Sequence, residues 1–364
     1  MHGVELRPTS TQPPSLTSSS IATIIVSPLG MTDTLNPATL LSRRFRFDQI
    51  PDLTGKLAIV TGGSAGIGYY NALPLARAGA EVVIISANAD KGTTAEGEIN
   101  KNIQESNSSG SVRWSGCDLG NLKEVDALAT KLANDLKRLD ILICNAGIGQ
   151  APFGLTDDGL ERHFEVNNLS HYVLINRLLP LMKKTSESSP KASVRIVMQS
   201  SELHRFAPGD TQFASKEEVN EDRDGSRLYG RTKLGQILHA QQLVKHKLLS
   251  ETYPILAISV HPGTVNTEVQ KSWTESYGNI VGKALEMFTT VVGKSAAEGA
   301  EASLWAATST DINEGNWRDF QGKYYSEPYG KPDTETDQAK DGKLGDNFWS
   351  LCQTLSRELL GDDV

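Results

Sequence analysis

Leu57-Ala58-Ile59-Val60-Thr61-Gly62-Gly63-Ser64-Ala65-Gly66-Ile67-Gly68 is the stretch that decides how this chain folds. Its first four residues read as a strand apolar on both faces, its glycines as a tight turn, and the run from there to Ala78 as a helix. A strand that enters a helix through glycines lets the backbone come close to a pyrophosphate. The phosphate charge then meets the free N–H groups and the positive dipole end of the helix. The spacing G-x-x-x-G-x-G, from Gly62 through Gly66 to Gly68, departs from the more familiar G-x-G-x-x-G, and a glycine cluster taken alone is also readable as a turn without a ligand. Pro74 falls inside the expected helix, where it should remove a hydrogen bond and produce a kink.

Outward from this unit, short apolar runs alternate with helix-length segments. Val82 to Ile85, Val112 to Trp114, Ile141 to Cys144, Val194 to Met198 and Leu256 to Val260 join Leu57 to Val60 as strands. Several are apolar on both faces, as suits a parallel sheet covered by helices. Leu122 to Leu136 and His163 to Met182 are long enough for the crossovers that parallel strands require. The expected fold class is therefore α/β with a doubly wound parallel sheet, in a single domain. Residues 1–45 are expected to form a flexible tail and residues 46–364 the folded domain, with the polar run Pro208 to Arg227 as the one linker-like piece inside the body.

Composition narrows the function. With 36 Lys and Arg against 44 Asp and Glu the formal charge is −8, which argues against a nucleic-acid partner. Cys117, Cys144 and Cys352 lie far apart without metal-ligand spacing, so neither a disulfide framework nor a metal site is expected. The early apolar run Ile21 to Val26 ends at Ser27 and Pro28, far short of the ~18 residues of a membrane span. Residues 1–30 are rich in Ser, Thr and Pro and lack the charged start and apolar core of a secretory signal. A cytoplasmic location is expected, with a weak organelle signal using Arg43, Arg44 and Arg46 as the competing reading.

The pattern Thr61-Gly62-x-x-x-Gly66-x-Gly68 resembles that of the short-chain dehydrogenase/reductase (SDR) family. Further matches follow in order: Asp118-Leu119, Asn145-Ala146-Gly147, Ser201, Tyr229-x-x-x-Lys233, and His261-Pro262-Gly263-Thr264-Val265-Asn266-Thr267. The resemblance covers residues 53 to about 355 and implies a Rossmann fold with a small C-terminal substrate lid. It also implies that Gly62, Ser64, Gly66, Ile67 and Gly68 hold the cofactor pyrophosphate, that Asp118 meets the adenine, that Asn145 lines the cleft, and that Val265 and Thr267 contact the nicotinamide end. An acidic residue at the end of the second strand would select NAD. Ala87 stands there instead, and Asn88 or Lys91 would help to hold a 2′-phosphate, so NADP is favoured with NAD as the other option.

Tyr229 and Lys233 lie four apart, on one face of a helix expected to run to Leu249. A phenol titrates near ~10 unless a cation assists it, and Lys233 supplies that field. By resemblance Lys233 also holds the nicotinamide ribose, Ser201 donates a hydrogen bond to the substrate oxygen, and Asn167 organises a water linking the lysine to solvent. Ser200 and Asn168 are adjacent alternatives for the last two roles. His171, His204 and His261 are read as structural or positioning residues. The 28-residue interval from Ser201 to Tyr229, Ser200-Ser201-Glu202-Leu203-His204 and the strand Gly322-Lys323-Tyr324-Tyr325 resemble the retinol-dehydrogenase-like branch, whose fungal members often tailor secondary metabolites.

Trp273, Tyr277, Val281, Leu285, Phe288 and Val292 form an apolar stripe where the family has its lid, readable either as core packing or as a wall around a bound compound. The expected activity is an oxidoreductase interconverting a hydrophobic ketone or aldehyde and its alcohol, and relatives are commonly dimers or tetramers, so a homo-oligomer is expected by analogy. The alternative is a non-catalytic NADP(H)-binding regulatory protein, which would have no use for Ser201, Tyr229 and Lys233 together.

Overall fold

The computed structural model describes residues 44–249, 253–263, 295–330, 332–362 and 364, all within the compact unit Arg43–Val364. Val265, Thr267, the apolar stripe from Trp273 to Val292 and residues 1–43 lie outside the described residues. Within them, strands and helices alternate as the apolar pattern requires: β1 (Leu57–Thr61), α1 (Gly66–Arg77), β2 (Glu81–Ser86), α2 (Ala89–Glu105), β3 (Ser111–Gly116), α3 (Leu122–Asp135) and β4 (Ile141–Cys144). The second half contributes α4 (Arg162–Phe164), α5 (Ser170–Glu187), β5 (Val194–Gln199), α6 (Lys216–Val219), α7 (Gly225–Leu243), β6 (Ile255–Val260), α8 (Ala296–Thr308), β7 (Tyr324–Tyr325) and α9 (Gly342–Leu360).

The seven strands form one sheet in the order β3-β2-β1-β4-β5-β6-β7, and every pairing is parallel. Successive strand residues point to opposite faces, so β1 feeds two cores. Leu57 and Ile59 join Leu142, Cys144 and the apolar sides of α3, α5, α7 and α9. Ala58 and Val60 join Ile141, Ile143 and the sides of α1, α2 and α8. The three cysteines are separate buried thiols. Strand order reverses between β1 and β4, and a crevice at such a switch point is where doubly wound sheets take their ligands.

Several segments differ from their sequence reading. The expected helix His163 to Met182 is interrupted by one π turn, Glu165–Leu169, before α5 continues to Glu187. The helix carrying Tyr229 ends its α-helical part at Leu243, and a second π turn, Val244–Leu248, completes it. Pro74 lies inside α1 as its sequence reading has it, and the Ala78 N–H donates to its carbonyl (3.0 Å).

The run Pro208 to Arg227 is no linker. Phe213 and Val219 are fully buried, and the Glu218 carboxylate accepts from the backbone N–H groups of Gln212, Phe213 and Ala214 (2.7, 3.1 and 2.7 Å). Two apolar anchors and one internally satisfied turn fix a segment that its polar composition disguises. Arg44 and Phe45, the last residues of the expected tail, belong to the body. Phe45 is wholly buried, and Arg44 pairs with Glu298 and Glu301 (2.7 and 2.8 Å).

Candidate active site

The glycine turn after β1 brings α1 hard against the strand end. A Cβ at Gly68 would lie 2.1 Å from the Gly62 carbonyl oxygen, and one at Gly62 would lie 2.9 Å from Asn145 Nδ2. Gly66 has φ +53° and nothing within 4 Å of a Cβ position, so it opens on free space. No side chain caps the start of α1, whereas α2, α3, α7, α8 and α9 are capped by Asn88, Asn121, Asp224, Ser295 and Asp341. First-turn N–H groups left to another acceptor beside an open glycine fit a pyrophosphate. Asn145 forms the other wall, its Nδ2 donating to the Thr61 carbonyl (2.9 Å).

Asp118 is exposed at the end of β3. Its Oδ1 accepts from the Gly120 N–H (2.8 Å), while the cap of α3 is Asn121. Asn88 caps α2 by accepting from the Lys91 N–H (2.8 Å). Both residues therefore have a structural duty beside the one the resemblance implies.

Tyr229, Ser201 and Lys233 come together. Ser201 starts the 3-10 turn Glu202–Phe206, and its Oγ accepts from the Leu203 N–H (3.1 Å). Gly230 lets α7 approach that turn, because a Cβ there would sit 2.8 Å from Leu203 O and Ala207 N. The contact sets Tyr229 beside Ser201, whose side chain acts on the phenol. Burial raises the phenol pKa, and the nearby Ser201 side chain opposes that rise. Lys233 Nζ lies 5.2 Å from the Tyr229 ring centre, and burial pushes the ammonium down to about 7. Nζ donates to the Gln199 carbonyl (2.8 Å) and to Gln236 Oε1 (3.0 Å), which accounts for two of its three protons.

The adjacent candidates separate. Ser200 Oγ donates to the Lys233 carbonyl (2.7 Å) and is committed to holding α7. Asn167, in the first π turn, accepts at Oδ1 from the Ile148 N–H (2.7 Å) and donates through Nδ2 to Ile148 O and Thr232 Oγ1 (3.0 and 2.9 Å). Asn168 Nδ2 donates to the Thr232 carbonyl (3.0 Å). Both asparagines brace α7, and the Asn167 carbonyl accepts from His171 Nδ1 and Gln236 Nε2 (3.0 and 3.1 Å).

His171 faces Thr61 Oγ1 through Nε2 (2.9 Å). Burial pushes its pKa down to about 4, so it is neutral and positions rather than titrates. His204 donates from Nδ1 to the Ser201 carbonyl (2.7 Å) and accepts at Nε2 from Thr336 N–H (3.3 Å). Thr61, Gln199 and Gln236 were missed as site residues. Gln236 had a signal, since it lies three after Lys233 and seven after Tyr229 on one helix face. A backbone carbonyl such as that of Gln199 has none.

A family profile described as short chain dehydrogenase matches residues 56–208. Retinol dehydrogenase 12 of Mus musculus is 34% identical over 319 residues, 86% of this chain and 88% of that protein. The chain belongs to the short-chain dehydrogenase/reductase family. A Neurospora crassa relative whose name describes a mitochondrial oxidoreductase, bli-4, is 35% identical, over 86% of this chain and 74% of its own. Among solved structures, L-sorbose reductase from Gluconobacter frateurii, complexed with NADPH and L-sorbose, matches at a TM-score of 0.56 and 19% identity. That match covers 78% of this chain and all of the other, and it speaks for the fold. As an SDR the protein is an oxidoreductase, and the site described above lies where the family's sheet reverses. Among the described residues no helix is long and apolar enough to cross a membrane.

Proposed function

We propose that the protein interconverts an apolar ketone or aldehyde and its alcohol, with NADP(H) favoured over NAD(H). The observation that carries the reading is Tyr229 set beside Ser201 by the packing of α7 on the turn Glu202–Phe206, with the Lys233 ammonium 5.2 Å from its ring. Gly62, Ser64, Gly66, Ile67, Gly68 and the uncapped start of α1 would hold the pyrophosphate, Asp118 the adenine end, Asn145 the cleft wall, and Lys233 the ribose. When bound, the nicotinamide supplies or accepts the hydride. Tyr229 holds the proton that moves to or from the substrate oxygen, and Ser201 donates a hydrogen bond to that same oxygen. Lys233 counters the burial that would otherwise keep the phenol protonated. Asn167 fixes the turn from which the lysine environment is built.

NADP is favoured because Ala87 puts no carboxylate at the end of β2, with Asn88 and Lys91 close by in sequence to receive a 2′-phosphate. The apolar stripe from Trp273 to Val292, Val265 and Thr267 belong to the same proposal on sequence grounds. So does the role in secondary metabolism, which rests on the resemblance of the sequence to the fungal members of the branch. A cytoplasmic location competes with the mitochondrial one in the name of bli-4, and fractionation decides between them.

The test is consumption of NADPH and NADH, in parallel, by purified protein offered apolar ketones and aldehydes, with Tyr229→Phe alongside. Loss of at least about a hundredfold in turnover, at unchanged cofactor affinity, is expected of the variant. Wild-type turnover by Tyr229→Phe overturns the reading. Cofactor binding with no turnover of any carbonyl or alcohol favours the regulatory protein.

A further inference from the structure

We propose that Gln236 is a positioning residue that clamps Lys233 between β5 and the first π turn and sets the pH at which the lysine loses its charge. The inference rests on the carbonyl-reductase reading and deepens it. Gln236 is 1% exposed, with Oε1 3.0 Å from Lys233 Nζ and Nε2 3.1 Å from the Asn167 carbonyl. Its orientation follows from its partners. An ammonium can only donate and a carbonyl can only accept, so a flipped amide would set donor against donor and acceptor against acceptor.

The side chain thus stands between Lys233 and Asn167, the residue that by resemblance organises a water linking the lysine to solvent. The difference matters chemically, because a water passes protons along while an amide holds them in place. Gln236 therefore fixes charge at Nζ and does not conduct it. On the far side, the Asn167 carbonyl also accepts from His171 Nδ1 (3.0 Å), and His171 Nε2 meets Thr61 Oγ1 (2.9 Å). Thr61 Oγ1 in turn accepts from the Asn145 and Ala146 N–H groups (3.0 Å each). One chain of bonds runs from the lysine to the wall of the cofactor cleft.

Among the described residues, the titratable groups facing Lys233 are Tyr229 on its own helix and His171 from α5. β5 presents the Gln199 carbonyl and the π turn the Asn167 carbonyl, both neutral. His171, brought down to about 4 by burial, stays neutral wherever Lys233 titrates. Two fixed acceptors oppose the burial that lowers the lysine pKa, and removing one weakens that opposition.

The experiment compares wild type, Gln236→Leu and Gln236→Glu in kcat against pH. It also follows the titration of Lys233 by NMR of protein carrying [13Cε]-lysine, the signal identified by its absence in Lys233→Met. Gln236→Leu is expected to lower kcat about tenfold and to move the alkaline limb and the Lys233 midpoint down by about one pH unit. Gln236→Glu, which puts a carboxylate against the ammonium, is expected to move both up by about as much. Opposite shifts are beyond a residue that merely fills space. Unshifted Lys233 midpoints in both variants, with melting curves showing them folded, would overturn the proposal. Should the midpoints shift while wild type turns over no carbonyl or alcohol, the clamp stands and the reductase reading falls.

Discussion

At Gly66 and Gly68 two missing side chains do different work. Gly66 adopts φ +53° with open space around it, while a Cβ at Gly68 would penetrate the Gly62 carbonyl at 2.1 Å. Gly66→Ala costs the left-handed conformation, about 1–2 kcal/mol, and forces no movement of α1. Gly68→Ala must push the helix off the strand, which removes the N–H groups from the place where a pyrophosphate would meet them. We expect Gly68→Ala to lose cofactor affinity more than tenfold and Gly66→Ala distinctly less, measured by NADPH fluorescence titration beside thermal melts. Equal affinities for the two would deny that the close approach builds the site. The glycine spacing was legible in the sequence, but which glycine opens on the cleft and which packs on the strand was not, because both look alike until β1 and α1 are in contact.

The elements show the same division. α9 carries Phe348, Trp349, Leu351, Cys352 and Leu355 onto α7 and α3, all buried. Phe348 meets Phe213 from the Pro208–Arg227 segment and Phe164 beside the π turn, ring centres 5.2 and 6.5 Å apart. Phe348→Ala is expected to cost about 3–5 kcal/mol by opening a cavity where three elements meet, read as a shifted denaturant midpoint with little change in catalysis below the transition. A loss under about 1 kcal/mol would mean that α9 is dispensable to this core. The interruption of α4–α5 by a π turn had no local signal beyond paired asparagines. It exists because Asn167 and Asn168 reach across to α7 and Ile148, a reward that only the folded neighbour supplies.

Several buried groups shape the molecule's response to pH, His239, His171 and Glu165 among them. His239 lies among Tyr172, Phe348 and Trp349, and neither ring nitrogen has a hydrogen-bond partner among the described residues. Burial pushes it down to about 3 and His171 to about 4, both from 6.5. Depressed pKa values give stability that is whole above about 6.5 and lost as pH falls toward those values. Glu165 is raised from 4.5 to about 8, by burial first and then by Asp158 and Asp118. Its contribution is whole below 4.5 and lost as pH rises toward 8. Inside its window each group contributes about 1.4 kcal/mol per pH unit, so the two histidines outweigh the carboxyl on the acid side. His239→Leu should flatten the acid limb and Glu165→Gln the alkaline one, by urea unfolding at pH 5, 6.5 and 8.5. Unchanged slopes in both would remove these groups from the account.

The sequence by itself determined the doubly wound sheet, since strand-length apolar runs separated by helices have few other ways to bury both faces. It also determined the residue types of the site, because each chemistry admits so few. Only the tertiary structure decided between neighbours. Ser200 turns to the Lys233 carbonyl while Ser201 turns to Tyr229, and adjacent residues on an extended chain differ only in which face they meet. Tertiary contact alone also made Gln236 a partner of Lys233 and bound the polar Pro208–Arg227 run into the core. Hydrogen bonds between distant segments have no signature in composition or period; they exist only once packing has brought donor and acceptor within about 3 Å.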